Sequence, residues 1–298
     1  MISDDRLPEL KDFRHAERSA SLCSDPAFAR LVVATDNDRS PVHRWFKFKE
    51  SFSKDLLAQV IAETHVASRR PLRLLDPFCG VGTTLVAAQE LGAASVKIEA
   101  TGIEYNPFIA FVARSKVRWP LLNVTAFRNQ VAGLSGEEMY YRGPLPALSS
   151  VKTGLCISKH VTRRLLAFAA AIRNGRNEDV ANSLLVGLAA AIEPLSRVRK
   201  DGRALRLVEK DTPPVQETLR AKWKAIADDA ELYQQLIASA RVPEVLQADG
   251  RDPVAAGIAP SSIDLIVTSP PYPNNIDYTE VYKLELFLLG FLKTHAEF

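Results

Sequence analysis

The sequence predicts an α/β fold in which a parallel sheet carries a long helical insertion. Residues 70–118 alternate strand, helix, strand and helix, and a similar rhythm returns near residue 243. A turn that contains Gly80 and Gly82 joins the first strand to the first helix. Alternating strands and helices imply parallel strands with right-handed crossovers.

The composition limits the classes of protein to which the chain can belong. The chain has 298 residues, of which 47% are hydrophobic and 24% charged, so it can bury a substantial core. Its net charge of +3 permits an anionic partner without requiring one. Cys23, Cys79 and Cys156 are widely spaced, without metal-ligand spacing, so no metal site is predicted. A charged N-terminus without a signal-peptide core, and no apolar run of roughly 18–20 residues, predict a cytoplasmic protein.

Local signals predict the elements of the first half. Apolar residues at helical spacing over residues 55–68 predict an amphipathic helix. The strand that precedes the glycine turn is followed by a helix, which we expect Gly92 to end as a C-cap. Residues 96–104 predict a second strand. The next helix has Asn106 as its N-cap and Pro107 at its first position.

The middle of the chain, about residues 119–240, breaks this rhythm, shows no strand alternation of similar strength and predicts a mostly helical insertion. Helical patterns cover Ser158–Arg173, Asn177–Glu193 and Pro214–Ala240. The division expected from these patterns is an arm over 1–40, the first part of the α/β domain over 41–118, the insertion over 119–240 and the second part of the domain over 241–298.

After the insertion, VLQADG predicts a short strand and SSIDLIVTSPPY a fully buried strand that runs into a proline-rich loop. A helix is expected over Tyr278–Leu292. The chain stops at Phe298, where a doubly wound domain would continue. We therefore expect an incomplete sheet, either because the sequence is truncated or because a second polypeptide completes it.

The turn DPFCGVGTT, residues 76–84, predicts a ligand site. Ligands of parallel sheets bind beyond the carboxyl ends of the strands. Gly80 and Gly82 let the backbone turn tightly and approach a ligand, and the helix that follows offers free N–H groups. The turn lacks GxxxxGK[ST], which argues against a nucleoside triphosphate, and it departs from GxGxxG.

Two carboxylates follow neighbouring strands. Glu104 ends the second strand, where an acidic side chain can accept hydrogen bonds from both hydroxyls of a ribose. Asp249 closes a later strand in the same way, and a carboxylate there suits the amino group of an adenine. The alternative for each is an ordinary solvated charge.

The loop TSPPY, residues 268–272, predicts a site that binds an aromatic amino group. Two successive prolines hold the loop rigid, so that a backbone carbonyl and the Ser269 hydroxyl can accept hydrogen bonds from one NH₂ group. Tyr272 offers a flat face on which a base can stack. An aromatic NH₂ is a poor nucleophile, and acceptors that draw its hydrogens stabilise the charge that develops in the transition state.

At these residues the chain resembles the amino-methylating DNA methyltransferases of restriction–modification and related systems. DPFCGVGTT is similar to their motif I, IEYNP to motif II, ADGRD to motif III and TSPPY to motif IV. The resemblance implies a Rossmann-like methyltransferase fold that binds S-adenosylmethionine. It implies cofactor contacts by Asp76, Pro77, Phe78, Gly80, Gly82, Thr83, Glu104, Asn106 and Asp249, and catalytic contacts by Ser269, Pro270, Pro271 and Tyr272.

The resemblance also bears on the base that is methylated. In that family (S/T)PPY usually accompanies methylation of cytosine N4, whereas (D/N)PPY usually accompanies adenine N6, so Ser269 favours cytosine. The aromatic segment Pro41–Phe48 lies where the family's motif X often lies, and one of its rings can pack on the methionine end of the cofactor. Two features depart from the family: the insertion separates motifs II and III, and the strands expected after motif IV are missing.

Such an enzyme must flip its target base out of duplex DNA, at a cost of a few kcal/mol. Asn274 and Asn275, in the polar loop after Tyr272, are candidates for contact with the target strand. Phosphate contacts need basic side chains. The densest group is SRVRKDGRALR, with Arg197, Arg199, Lys200 and Arg203 as candidate DNA contacts and a solvated turn as the alternative.

Three other functions stay open. The first is an adenine-N6 DNA methyltransferase. The second is an RNA base methyltransferase, although no added RNA-binding domain is evident. The third is a cofactor-binding subunit or fragment that does not act alone. A partner restriction endonuclease is a further expectation.

Overall fold

The computed structural model describes residues 26–34, 36–64, 71–94, 96–134, 139–146, 155–200, 205–237, 239–271 and 278–292. The expected sites at Tyr272, Asn274, Asn275 and Arg203, together with Cys23, lie outside these ranges.

The first half contains α1 Pro26–Leu31, α2 Leu56–Thr64, β1 Leu72–Asp76, α3 Thr83–Ala94, β2 Ile98–Glu104 and α4 Pro107–Val117, with a 3₁₀ turn at His43–Trp45. The cap at Asn106 is confirmed, because its Oδ1 accepts hydrogen bonds from the N–H groups of Phe108 at 3.0 Å and Ile109 at 3.2 Å. The predicted stop at Gly92 is wrong, since α3 continues to Ala94. Glycine in a helix interior costs only about 1 kcal/mol, which the packing of α3 against β2 overrides.

The insertion contains a 3₁₀ turn at Trp119–Leu121, followed by α5 Val124–Gly133, α6 Lys159–Arg173, α7 Glu178–Leu195, β3 Val198–Lys200, β4 Leu205–Leu207 and α8 Val215–Leu236. The sequence predicted the three long helices, and the Ser158 and Asn177 side chains cap α6 and α7. The insertion is mostly helical, as predicted, but it also holds a two-stranded antiparallel ribbon of β3 and β4 that the sequence did not predict. Three-residue strands are too short to show alternation in the sequence.

The last part contains β5 Glu244–Gln247, β6 Leu265–Ile266, α9 Tyr278–Val281 and α10 Lys283–Leu288. The predicted single helix over 278–292 is therefore two short helices that meet at Tyr282. The prediction that this strand is fully buried is also wrong. Only two residues pair in β6, and Ile266 is 58% exposed because β6 is the edge of the described sheet.

The sheet has four strands in the order β5-β2-β1-β6, and all of its pairings are parallel. Leu74 pairs with Ala100 of β2 on one side and with Leu265 of β6 on the other. The protein thus has the α/β architecture that the sequence predicts, consistent with a Rossmann-like methyltransferase fold. Four parallel strands place their carboxyl ends, and the loops that follow them, along one edge.

One hydrophobic core joins the insertion to the sheet helices. Helix α4 packs on α7, and α7 packs on α8, where the Trp223 indole donates to the carbonyl of Leu184 at 2.9 Å. None of the helices in the described ranges is long and apolar enough to span a bilayer.

The segment before β1 is fastened to α8 through a buried carboxylate. Asp229, 2% exposed, accepts hydrogen bonds from the Val42 N–H at 3.1 Å, the Arg44 Nε at 2.9 Å and the Trp45 Nε1 at 3.1 Å. Val42 takes a φ of 62° there, an unusual backbone conformation for a β-branched residue. Asp229 therefore orients the segment that leads to the glycine turn.

Candidate functional site

Four loops lie along the carboxyl edge of the sheet. They follow β1 at residues 77–82, β2 at 105–106, β5 at 248–250 and β6 at 267–271. The strand β1 is hydrogen-bonded to both β2 and β6, so the glycine turn lies between the loop of Glu104 and the double-proline loop.

The glycine turn has the backbone that its sequence predicts. Gly80 has a φ of +52° and Gly82 a φ of +80°, in the left-handed region that favours glycine. The Cys79 N–H donates to the Ile103 carbonyl at 2.9 Å, which ties the turn to β2. Helix α3 starts directly after the turn, at Thr83, and its first N–H groups therefore lie at the carboxyl edge.

The Asp76 side chain stabilises the glycine turn through hydrogen bonds. Its side chain is 1% exposed, accepts a hydrogen bond from the Thr84 hydroxyl at 2.5 Å and accepts another from the Phe78 N–H at 3.2 Å. Burial raises the pKa of Asp76 to about 6, and these hydrogen bonds limit the rise. Asp76 therefore holds the shape of the turn.

Glu104 ends β2 beside the turn. One of its carboxylate oxygens accepts the Asn106 N–H at 2.7 Å. Burial raises the pKa of Glu104 to about 7, against hydrogen bonds from the N–H groups of Asn106, Gly80 and Tyr105. The negative charge of Asp76 raises this pKa further. Glu104 thus contacts the glycine turn through the Gly80 N–H.

Asp249 is held differently. It lies at the surface, where the Arg251 side chain donates to both carboxylate oxygens at 2.5–3.0 Å and lowers the pKa of Asp249 to about 2. Gly250 is buried, and sequence reasoning overlooked it. A Cβ at this position would overlap the carbonyl oxygen of Pro77 and lie 2.9 Å from its carbon. The loop after β5 therefore touches the glycine turn, and a glycine directly after a strand-end Asp was the available signal.

The double-proline loop starts one residue beyond the last pairing of β6. The Val267 N–H donates to the Leu75 carbonyl at 3.2 Å, so the loop leaves the sheet beside Asp76. The Thr268 hydroxyl is buried next to Asp76 and lowers the pKa of Asp76, although it has no hydrogen bond of normal geometry within the described ranges. Ser269 and the two prolines follow Thr268 at this edge. Sequence reasoning missed Thr268 as a neighbour of the glycine turn.

The aromatic segment before β1 covers the glycine turn. A Cβ at Gly80 would lie 3.0 Å from the Phe48 ring, and Phe48 stacks on Tyr282 with centroids 5.4 Å apart. The Ser51 hydroxyl also lies 2.6 Å from the Thr83 hydroxyl at the start of α3. In the aromatic segment Pro41–Phe48, where motif X was expected, Phe48 is therefore a ring that reaches the glycine turn.

The basic segment forms the β3–β4 ribbon. Arg199 is exposed and pairs across the ribbon with Arg206, which is also exposed, and Arg197 is exposed just before β3. Lys200 was predicted to contact DNA, and this prediction is wrong. Lys200 as a whole residue is only 4% exposed, and its ammonium forms an ion pair with Glu285 at 2.5 Å. Strand alternation turns Lys200 inward where Arg199 points outward.

A separate cavity of about 460 Å³ opens at the amino end of the sheet, lined by the second half of α3 and the starts of β2 and β5. It contains the ion pair between Arg241 and Glu99 and lies away from the carboxyl edge. Within the described ranges, no group of three or more His, Cys, Asp or Glu side chains is placed to hold a metal ion.

Comparison with known proteins adds independent information. No family model matches the chain. The chain is 26% identical over 294 residues to the Type II methyltransferase M.BsoBI of Geobacillus stearothermophilus, covering 88% of this chain and 55% of that protein. It is 30% identical over 285 residues to the Type II methyltransferases M.AvaI of Nostoc sp. and Anabaena variabilis, covering 88% of this chain and 56% of each relative.

The chain thus spans about half the length of the curated relatives it matches. The matches extend over most of the chain, so they include the insertion as well as the sheet. Nothing in these comparisons supports the expectation that a second polypeptide completes the sheet.

Proposed function

We propose that the chain carries the cofactor and acceptor loops of an S-adenosylmethionine-dependent DNA methyltransferase of a restriction–modification system. The methyl acceptor proposed is N4 of cytosine in double-stranded DNA, and the site of action is the cytoplasm. One observation carries the proposal: the glycine turn after β1 and the double-proline loop after β6 leave neighbouring parallel strands at the same edge. The similarity to Type II methyltransferases supports it.

The residues at the turn fit the cofactor. Gly80 and Gly82 adopt the left-handed backbone that the tight turn requires, and Glu104 presents a carboxylate at the end of β2, where a ribose would bind. The Asn106 Nδ2 is buried and has no hydrogen-bond partner in the described part of the chain, so it can donate to a ligand. When bound, S-adenosylmethionine supplies a methyl group already activated by its sulfonium charge.

The acceptor loop supplies the other half of the reaction. The Ser269 hydroxyl and a carbonyl of the double-proline segment are proposed to accept hydrogen bonds from the amino group of the base. These acceptors pull the nitrogen towards sp³ geometry and hold it facing the glycine turn, so positioning accounts for much of the rate. Tyr272, outside the described residues, is proposed to stack on the flipped base.

DNA contact is proposed for the exposed face of the ribbon, where Arg197 and Arg199 reach solvent. Arg203, Asn274 and Asn275 keep their proposed DNA contacts. Asp249 keeps its proposed contact with the adenine amino group of the cofactor, although Arg251 now competes for its oxygens.

The experiment is transfer of tritium from labelled S-adenosylmethionine into duplex DNA, followed by digestion to nucleosides. We expect label in N4-methylcytosine. Label in N6-methyladenine would overturn the choice of base, and a chain that binds the cofactor but labels no DNA would overturn the activity.

A matched pair of variants makes the test specific to the loop. Ser269→Ala is expected to lower kcat by on the order of 10²-fold, since it removes an acceptor that acts in the transition state. Ser262→Ala, in the turn before β6, is expected to leave kcat within about twofold. Equal kcat values for the two variants would exclude the Ser269 hydroxyl from the reaction.

A further inference from the structure

Lys200 is a buried lysine on the inner face of the β3–β4 ribbon, and the proposed reaction gives it no role. Lys200 is 4% exposed, and its partner Glu285 is 1% exposed. The Lys200 Nζ lies 2.5 Å from the Glu285 Oε1, 4.2 Å from the centroid of the Tyr282 ring and 5.1 Å from that of Phe46. An ammonium group over aromatic faces and beside a carboxylate is well satisfied.

A buried ion pair of this kind adds little stability compared with packed apolar side chains. Its particular effect is to favour one arrangement of the elements that carry it. Here those elements are far apart in the chain: Lys200 is in the insertion, Glu285 is in α10, and the Lys49 ammonium donates to the Lys200 carbonyl. The pair therefore joins the ribbon, the helices after the double-proline loop and the segment before β1.

Tyr282 carries the connection onward. Its hydroxyl donates to the Glu50 Oε2 at 2.9 Å, and its ring stacks on Phe48 with an interplanar angle of 19°. Phe48 in turn lies against Gly80, where a Cβ would approach its ring to 3.0 Å. A continuous series of contacts thus runs from Lys200 through Tyr282 and Phe48 to the glycine turn.

Two carboxylates lie in this cluster. The Glu285 carboxylate pairs with the Lys200 ammonium, and the Glu50 carboxylate accepts a hydrogen bond from the Tyr282 hydroxyl. The Glu50 Oε1 and the Glu285 Oε2 are buried without a hydrogen-bond partner among the residues that the structure describes. Removal of the ammonium would leave the Glu285 carboxylate without its ion-pair partner and the Tyr282 ring without its cation, so we expect the stack of Tyr282 on Phe48 to depend on Lys200.

We propose that Lys200 is a positioning residue, which holds Tyr282 from the inner face of the ribbon and, through Tyr282, holds Phe48 over Gly80. The inference rests on the proposed function, because it takes the glycine turn as the cofactor site. Lys200 does not touch the cofactor in this account. It sets the place of the ring that covers the cofactor's methionine end.

The test is a thermodynamic cycle on the full chain, measured as the Kd of S-adenosylmethionine by equilibrium dialysis. Lys200→Met and Phe48→Ala are each expected to raise the Kd by about tenfold, and the double variant to raise it no further than Phe48→Ala alone. Lys200→Arg keeps the charge but differs in shape, and it is expected to give a Kd between those of the wild type and Lys200→Met. Lys224→Met, which removes an exposed lysine of α8, is the matched control and is expected to leave the Kd unchanged.

Several outcomes would overturn the proposal. If Lys200→Met raises the Kd by the same factor in the Phe48→Ala background, the two residues act independently. An unchanged Kd for Lys200→Met, with only a lower melting temperature, would reduce Lys200 to a structural role. If Lys200→Met does not fold, Glu285→Gln replaces it, and an unchanged Kd for that variant overturns the proposal equally. A wild-type chain that binds no S-adenosylmethionine overturns the proposed function as well, whereas binding with an additive cycle overturns only the role of Lys200.

Discussion

Gly250 lies against the carbonyl group of Pro77, so closely that any side chain at 250 would overlap the carbonyl oxygen. The two residues belong to loops after β5 and β1, which are separated in the sheet by β2. The contact draws the loop of Asp249 over the end of β2 and onto the glycine turn. It sets the distance between two parts of the proposed cofactor site.

Gly250→Ala should therefore displace the glycine turn. We expect a loss of about 1–3 kcal/mol in the free energy of unfolding, the usual cost of overpacking, together with weaker binding of S-adenosylmethionine. Urea denaturation and equilibrium dialysis measure the two effects. Gly92→Ala is the control: it meets nothing within 4 Å and should stabilise helix α3 by about 0.5–1 kcal/mol. Equal stability of the two variants would show that the Pro77 contact is not tight.

Asp229 is expected to be among the costliest polar positions. Asp229→Ala leaves the buried donors of Val42 and Trp45 without an acceptor and separates Arg44 from its partner, so we expect a loss of about 3 kcal/mol or more in unfolding free energy. Asp228→Ala, at the preceding position of α8, removes an exposed carboxylate and should cost under about 1 kcal/mol. Chemical denaturation compares them, and similar losses would contradict the role given to Asp229.

Lys116 makes stability depend on pH. It is 1% exposed, its ammonium donates to the His43 carbonyl at 3.4 Å, and burial lowers its pKa to about 7 against the attraction of Glu90. Below about pH 7 the lysine is charged in both the folded and unfolded states, so the full cost of burial is present. As pH rises from about 7 towards 10.4, only the unfolded state keeps the proton, and the folded state gains stability.

Lys116→Met should accordingly be more stable than the wild type at pH 6, by an amount on the order of 2–3 kcal/mol. The advantage should shrink steadily up to about pH 10. Denaturation curves at several pH values measure it. A difference that is constant with pH would mean that Lys116 does not titrate in the folded protein.

Cofactor affinity should also depend on pH, through Glu104. Its carboxylate must be ionised to accept the ribose hydroxyls, and burial raises its pKa to about 7. The Kd is therefore expected to fall by about tenfold between pH 6 and pH 8 and then to level off. The measurement uses S-adenosylhomocysteine, because its thioether has no activated methyl group and cannot react during the titration. Glu104→Gln should bind more weakly and lose most of this dependence, and a pH profile unchanged by the substitution would exclude Glu104.

The exposed face of the ribbon should set the salt dependence of DNA binding. Arg199→Ala is expected to weaken binding to all sequences alike and to reduce the slope of log K against log salt by about 0.9 for each lost phosphate contact. Binding isotherms at several salt concentrations measure the slope. Lys224→Ala, at an exposed position of α8, serves as the control, and an unchanged slope for Arg199→Ala would remove the ribbon from the DNA interface.

Much of the candidate site was predictable because its signals are local. The glycine turn, the cap formed by Asn106 and the helix starts at Ser158 and Asn177 each depend on residues within a few positions of one another. Such signals stay valid in the folded chain, because backbone conformation and cap hydrogen bonds are decided over one turn. The carboxylate at Glu104 followed from its place at the end of a strand.

The errors have a different origin. Gly92 was expected to end a helix that packing against β2 extends to Ala94. The segment around Lys200 has the composition of a solvated basic turn, yet half of its ribbon faces inward. The strand β6 is apolar in sequence but lies at the edge of the described sheet, where Ile266 is exposed. In each case a distant part of the chain decides the environment.

The sequence by itself determined the α/β class, the position of the glycine turn and the presence of the double-proline loop, because the strand–helix rhythm and the glycine and proline conformations are properties of short segments. Only the tertiary structure decided that the two loops leave adjacent strands, that Gly250 supports the turn and that Lys200 is buried against Glu285. Those facts depend on contacts between residues tens to more than a hundred positions apart, which the packing of one shared core selects and no local pattern encodes.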